Sequence, residues 1–299
     1  MFQKMIQAPI RVRLPLLIVG ALLSSLLTLS LYSYLDFRKE FRAQSERWSE
    51  AIAERSIESV QRWSEELIEE ITALAFDRSS VEMLERLQKT LSMHSAPTLT
   101  DLRNGYIDDN PYPLGERHQL NRSAEGTIYD FVHADLHDQF RGITERSGYY
   151  DLFFILSNGD VAYSVFKEDD FGTNLLDGPY ANSGLADSFR KALAESATQH
   201  SFSDFAPYAP SGDAPASFMA HAIVDDTGEP LGVVAVQLPT AALKAKLTAS
   251  TALTPQDEIY VLGPEGLART DSLEPNLLTM LDQAPSLSHL ETSHVVQAQ

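Results

Sequence analysis

The residues of this chain whose types suit molecular recognition are Lys167, Asp170, Thr173, Tyr180, Asp204 and Tyr208. Lys167 opens the run Lys-Glu-Asp-Asp at 167–170, just after two apolar stretches joined by a tight turn. A lysine there offers an ammonium to a carboxylate or another anion, and Asp204 offers a carboxylate to an ammonium. Tyr163, Tyr180 and Tyr208 can supply apolar walls and hydroxyl donors. Lys167 and Asp204 together would suit a small molecule with one anionic and one cationic end, an amino acid or related amine. A small carboxylate held by Lys167 alone is the next choice. The same residues also read as a solvated loop after a strand, with Asp169 and Asp170 as turn or cap residues. Asp151, behind an aromatic pair at a strand start, is as much a structural candidate as a binding one.

His133 and His137 stand four apart in "HADLH". That spacing puts two imidazoles on one helix face, where they could share a metal. The string lacks the glutamate of a zinc-peptidase helix, and no third ligand is evident, so no metal site is expected. A wall of the binding pocket, through His137, and a hydrogen-bonded structural pair are the other readings. The segments "SNG" and "GPEG" are turns, not phosphate loops, because neither opens a helix with a Lys-Ser/Thr pair. No Gly-x-Ser-x-Gly elbow is present. No catalytic residue and no cofactor is expected.

The elements that must position these residues follow from composition and periodicity. The chain has 299 residues, no cysteine and a formal charge of −19. No disulfide framework can form, and a surface this acidic does not suit a nucleic-acid partner. Residues 14–35, "LPLLIVGALLSSLLTLSLYSYL", carry no charge and are long enough to cross a bilayer as a helix. Lys4, Arg11 and Arg13 precede the span and acidic residues follow it, which places residues 1–13 in the cytoplasm and the remainder outside. The apolar run is long for a cleaved signal peptide.

Residues 36–96 carry apolar positions at helical spacing, including Val60, Trp63, Leu67, Ile71 and Leu74, with Phe41, Trp48 and Ile52 nearer the membrane. This predicts a long stalk helix, broken near Asp77, whose stripe packs on its own domain or on a second copy, giving a homodimer. Ser79-Ser80-Val81-Glu82 fits a capping box. Residues 97–122 read as a loop and residues 123–146 as a helix. "YDLFFIL" and "VAYSVF" form a hairpin across Asn158-Gly159, and the alternation places Lys167 in phase with Tyr163 and Val165. Residues 183–195 are an amphipathic helix. "FSDFAPYA" is a strand interrupted by Pro207, and "ASFMAHAIV" and "LGVVAVQLP" form a second hairpin. A short helix in "TAALKAKLTAS" precedes "DEIYVLGPEGLARTDS", a smaller strand–turn–strand unit.

"GYYDLFFILSNGDVAYSVFKEDDFGTNLLDGPYANSGLADSFRKAL" resembles the membrane-distal module of extracellular double-Cache sensor domains, found in methyl-accepting chemotaxis proteins and in some receptor cyclases and sensor kinases. "FSDFAPYAPSGDAPASFMAHAIVDDTGEPLGVVAVQLP" is similar to the later strands of that module, and "DEIYVLGPEGLARTDS" to the membrane-proximal one. The resemblance implies an α+β fold with an N-terminal transmembrane helix, a long stalk helix and two Cache-type antiparallel-sheet modules, at residues 97–240 and 241–299. It implies an inner-membrane receptor with a periplasmic or extracellular domain. That domain would bind a small molecule in the distal module and pass a conformational signal to the membrane. A chemoreceptor is the first expectation, a sensor histidine kinase or nucleotide cyclase the second, and a membrane anchor without a ligand the third. The sequence ends before a second apolar span, a HAMP-type linker or an output domain, which leaves the output unread.

Overall fold

The computed structural model describes residues 9–195, 200–249, 259–271 and 278–283. The chain divides into two units, Met1–Arg55 with Leu287–Gln299 and Ser56–Ser286. Apart from Pro9, the described residues of the first belong to α1 (Ile10–Phe76), a helix of 67 residues that continues into the second. Its N-terminal part is long and apolar enough to cross a membrane. Leu16, Leu17, Leu22, Leu23, Leu26 and Leu27 are all exposed. The expected boundary between span and stalk at residue 35 has no counterpart in the backbone, because nothing in the sequence there breaks helical hydrogen bonding.

In the second unit α1 stops at Phe76, and α2 (Arg78–Leu91) starts at once. The break falls where the sequence placed it, but its cap is different. Asp77 is extended, and its Oδ1 accepts from Ser79 N at 2.8 Å, so Asp77 and not Ser79 caps α2. Residues 97–122, read as loop, contain α3 (Leu99–Arg103), a π turn at Asn104–Asp108 and a 3₁₀ turn at Arg117–Gln119. The next helix, α4 (Ile128–Ser147), begins five residues later than expected, because Thr127 caps it. One device starts both α3 and α4. Thr98 with Asp101, and Thr127 with Asp130, form capping boxes in which hydroxyl and carboxylate each accept the other's backbone N–H.

The core is an antiparallel sheet of five strands: β1 (Asp151–Leu156), β2 (Val161–Ser164), β3 (His200–Tyr208), β4 (Ala214–Val224) and β5 (Pro230–Leu238). Their spatial order is β2-β1-β5-β4-β3. Both faces are covered. Leu152, Phe154 and Leu156 face α1, α2 and α4, where Leu67, Ile71, Leu74, Met83, Leu84 and Phe140 complete one cluster. Phe153 and Ile155 face α5 (Gly184–Glu195), packing with Leu185, Phe189 and Phe218. This is the period-two alternation of a strand with a layer on each side. Leu67, Ile71 and Leu74 of the stalk stripe are therefore spent on this unit's own core.

Two strand readings need correction. Pro207 does not interrupt β3, which runs through it and pairs it with Pro215. β3 is the sheet edge, where a residue without an N–H leaves no ladder bond unmade. β2 ends at Ser164, so Lys167 is not in phase with Tyr163. It lies beyond the strand in the left-handed region, at φ 54°.

After β5 comes α6 (Thr240–Ala249). The smaller strand–turn–strand unit is present among the described residues as two isolated bridges, Leu262 with Ala268 and Leu267 with Gln283. The expected residues 250–258 and 272–277 of that unit, and 284–299, lie outside the described residues.

Candidate functional site

The loop after β2 does not run out into solvent. Lys167 and Asp170 are fully buried, Glu168 nearly so, and only Asp169 of the charged run is exposed. Burial of a charge requires partners, and the loop's geometry supplies them. The left-handed turn at Lys167 folds its side chain back. Its N–H donates to Ser164 Oγ at 2.9 Å, and Nζ donates to the backbone carbonyls of Ser164 and Val165 at 3.3 and 3.1 Å. Nζ sits between the rings of Tyr106 and Tyr163, 5.7 and 5.6 Å from their centroids. Two of three ammonium protons are thus used. Gly172 closes the loop at φ 68°, where a Cβ would come within 2.7 Å of Arg103 Cγ.

Two carboxylates share the interior. Asp151 Oδ1 accepts from the N–H groups of Leu152, Val165 and Phe166 and so ties the start of β1 to the end of β2. Asp170 Oδ2 accepts from Tyr208 Oη at 2.6 Å. Thr173 Oγ1 donates to the Asp170 carbonyl, and Tyr180 lies 6.4 Å from the Tyr208 ring. A polar string runs alongside: Gln237 Nε2 donates to Ser211 Oγ, which donates to Glu168, whose other oxygen accepts from Tyr150 Oη.

The imidazoles of His133 and His137 stack at 4.4 Å. Carbonyls only accept, so His137 Nε2 donates to His118 O, and its Nδ1 accepts from Tyr163 Oη. By the same logic His133 Nδ1 donates to Asn121 O, leaving Nε2 as an acceptor. Residues 117–121 lie over the site through these two bonds and through Arg117, which donates to the Lys167 carbonyl.

The site as a whole is short of donors. Among the described residues, His133 Nε2, Asp151 Oδ2, Asp170 Oδ1, Gln237 Oε1 and Asn121 Oδ1 are buried without a protein hydrogen-bond partner, as is His118 Nδ1 at the site's cover. His133 Nε2, Gln237 Oε1 and Asn121 Oδ1 are acceptors in the bonding pattern above, and the two Asp oxygens are acceptors when their carboxylates are ionised. Uncompensated carboxylates push the electrostatics the same way. Burial raises Asp170 to about 7, against the Tyr208 hydroxyl that favours its charged form. Burial and then the Asp170 carboxylate lift Asp151 well above its ordinary range. Burial lowers Lys167 to about 7 although Asp151 favours its charge. Burial and then Lys167 hold His133 far below its usual value and take His137 down to about 2, so both imidazoles are neutral.

These shifts fix the sign of a pH effect. Folded Asp170 keeps its proton to higher pH than the unfolded chain, so its contribution is present below about pH 4 and is lost as pH rises to about 7. Folded Lys167 gives up its proton earlier than the unfolded chain, so its contribution is present above about pH 10.5 and is lost as pH falls to about 7. Both losses meet near neutrality. Melting temperatures between pH 4 and 10 should show that Asp170→Asn removes a fall on the acid side and Lys167→Met a rise on the alkaline side. Variant profiles that run parallel to wild type would refute this.

Of the residues singled out from sequence, the structure brings Lys167, Asp170, Thr173, Tyr180, Tyr208, Tyr163 and His137 into one neighbourhood. Asp204 is elsewhere. Its carboxylate is half exposed and is held by Arg269, with Nε at 2.9 Å and a second nitrogen at 2.8 Å, so the pairing of Lys167 and Asp204 around one ligand is not available. The reading of 167–170 as a solvated loop also fails, on burial. Sequence reasoning missed Tyr106, Arg117, His118, Glu168, Ser211 and Gln237. The repeated Thr-x-x-Asp of the two capping boxes was the available signal that the segment around Tyr106 is ordered.

No family model and no curated protein matches this chain by sequence. Among solved structures, the chain is similar to the sensor domain of the V. cholerae histidine kinase DctB, at 17% identity and a TM-score of 0.38, over 68% of this chain and 70% of that one. It is similar to the ligand-binding domain of the Pseudomonas fluorescens chemoreceptor CtaA in complex with L-alanine, at 12% and 0.36, over 79% and 75%. It is also similar to the ligand-binding domain of the Pseudomonas aeruginosa PAO1 amino acid chemoreceptor PctC in complex with GABA, at 13% and 0.35, over 76% and 82%. At these TM-scores no likeness assigns an activity or a ligand to this chain. What it is similar to, at that level, is the sensor and ligand-binding domains of histidine kinases and chemoreceptors.

Proposed function

We propose that this chain is the ligand-sensing portion of a bacterial membrane receptor, and that the buried cluster around Lys167 and Asp170 receives a small molecule carrying an ammonium group. The observation that carries the reading is the surplus of buried acceptors. An ammonium brings three donors and a positive charge to Asp151 and Asp170, which are otherwise buried without enough of either. The remaining Lys167 proton is free for an anionic end, so an amino acid satisfies more of the site than a simple amine does. A carboxylate without an ammonium satisfies only Lys167. The residues 117–121 that cover the cluster must open and close for entry, which gives a ligand two states to discriminate.

Calorimetry on the full chain in lipid nanodiscs, against amino acids, amines and organic acids, tests this. Ammonium-bearing compounds should bind with dissociation constants on the order of micromolar, and carboxylates without a cationic end should bind weakly. Binding of no compound in any class, or of carboxylates alone, would sink the proposal.

The receptor frame is part of the same proposal. Residues 1–13 are cytoplasmic, residues 14–35 span the inner membrane, residues 36–299 lie outside, and the modules divide at about 97–240 and 241–299. Chemoreceptor and histidine kinase outputs stand level, since the sensor itself carries neither. Phe37, Phe41 and Trp48 of α1 are exposed, and a second copy of this helix in the same bilayer would cover them at high effective concentration. Cysteines at Phe41 or Trp48 should cross-link between copies in membranes, whereas cysteines at Glu40 or Arg47 should react less. The reverse order would refute this face as the interface.

A further inference from the structure

A cavity of about 210 Å³ lies in the Ser56–Ser286 unit, lined by none of the residues of the Lys167 cluster. Val60, Trp63 and Leu67 of α1, Phe205 of β3, Met219 of β4 and Leu243 of α6 form its apolar walls. Asp204 and Arg269 are its polar residues besides Ser64. We propose that this cavity is a second binding site, for a small arylalkyl amine whose ring enters the apolar chamber and whose ammonium meets the Asp204 carboxylate.

Size sets the first part of that class. An apolar cavity of about 150 Å³ stays dry and takes benzene, so this one has room for a phenyl ring with a short alkyl tail. Charge sets the second part. Arg269 is nearly buried and held by acidic partners: it donates to both Asp204 oxygens, to Glu265 and to the Leu267 carbonyl. One guanidinium facing two carboxylates leaves an excess negative charge at the mouth. An anionic ligand would meet that excess, and the Nε and Nη2 donors of Arg269 are already directed at Asp204 and Glu265. A cationic one neutralises it. The backbone supplies a third observation. β3 changes register between Ser203 and Ala206, and this bulge takes Asp204 and Phe205 out of the ladder, setting the carboxylate at the rim and the ring in the wall. The ammonium role read for Asp204 from the sequence is kept, but at a different site. The proposal stands independently of the Lys167 cluster.

The reporter is built in. Trp63 lines the cavity, and the chain's other tryptophan is Trp48. In full-length Trp48→Phe protein in nanodiscs, phenethylamine should change Trp63 fluorescence saturably, below about 1 mM. 3-Phenylpropionate should need at least about tenfold more. Ser64→Phe, which puts a ring into the chamber, should weaken phenethylamine at least about tenfold with an unchanged melting curve. If that variant does not fold, Val261→Phe fills the same chamber from the other side. Absence of a saturable response, equal affinity for amine and carboxylate, or wild-type binding by a folded filling variant would overturn the proposal. So would a response abolished by Asp170→Asn, which would assign the amine to the first site.

Discussion

Lys167→Met should make the unliganded protein more stable and a worse receptor for amino acids. The two effects have one cause. Lys167 is fully buried and its charge is opposed by desolvation more than it is favoured by Asp151. Replacing a buried charge with an apolar side chain of similar length is often stabilising by about 1–4 kcal/mol. Methionine leaves the carbonyls of Ser164 and Val165 without the ammonium, which takes back part of that gain. A net gain of about 1–3 kcal/mol, or roughly 3–8 °C in melting temperature, is expected at pH 6. It should shrink toward pH 9, where the wild-type lysine has shed its proton. The backbone change is neutral, since both residues suffer equally at φ 54°.

Binding should move the other way and selectively. Amino acids lose the contact to their carboxylate and should weaken by about tenfold or more, because a hydrogen bond to a charged group is worth roughly 1.5–3 kcal/mol. Amines without a carboxylate should be unaffected or tighter, since a neighbouring cation has gone. Thermal melts and calorimetry on one preparation read both. A variant that loses stability and binding together would mean that the lysine holds the loop and not the ligand. One that weakens amines and amino acids alike would remove its assignment to the anionic end.

How much of this was legible beforehand depends on which physics each residue obeys. The strands were readable because both sheet faces are covered, so alternation and a Gly159 turn at φ 92° leave a mark in the sequence. The break in α1 was readable because Asp77 and the serines after it compete with helix. Lys167 stood out in the sequence by its charge and position, but its burial was not readable. A run of Lys-Glu-Asp-Asp has the composition of a solvated loop, and its burial is set by contacts distant in sequence: Tyr106 against Nζ, Arg117 on its carbonyl, Tyr208 on Asp170. The same holds for Asp204, whose partner is Arg269, 65 positions away. Pairing Lys167 with Asp204 was a guess from charge sign, and charge sign carries no distance. The π turn at Asn104–Asp108 has no periodic signature at all, since it shifts the register of one turn only.

Asp151 separates the bonds that hold the strand ends from the charge of the cluster, and two substitutions at that position should split sharply. Its Oδ1 holds the N–H groups of Leu152 and Phe166, and shares that of Val165 with the Leu152 carbonyl. All three lie where β1 and the chain leaving β2 are pinned together. Asp151→Ala leaves the Leu152 and Phe166 donors buried without an acceptor, at about 1–3 kcal/mol each, and opens space behind them. A loss of about 3–5 kcal/mol is expected, or roughly 8–15 °C. Asp151→Asn keeps the Oδ1 acceptor and replaces only Oδ2, which has no protein partner. It also removes a carboxylate from beside Asp170, while depriving Lys167 of the carboxylate that favours its charge. Those terms oppose one another, so the asparagine variant should fall within about 1 kcal/mol of wild type. Denaturant unfolding at pH 7 measures both. If alanine and asparagine cost the same, the carboxylate's charge and not its bonds to the backbone holds the strand ends, and the placement of Oδ1 as a structural clasp is wrong.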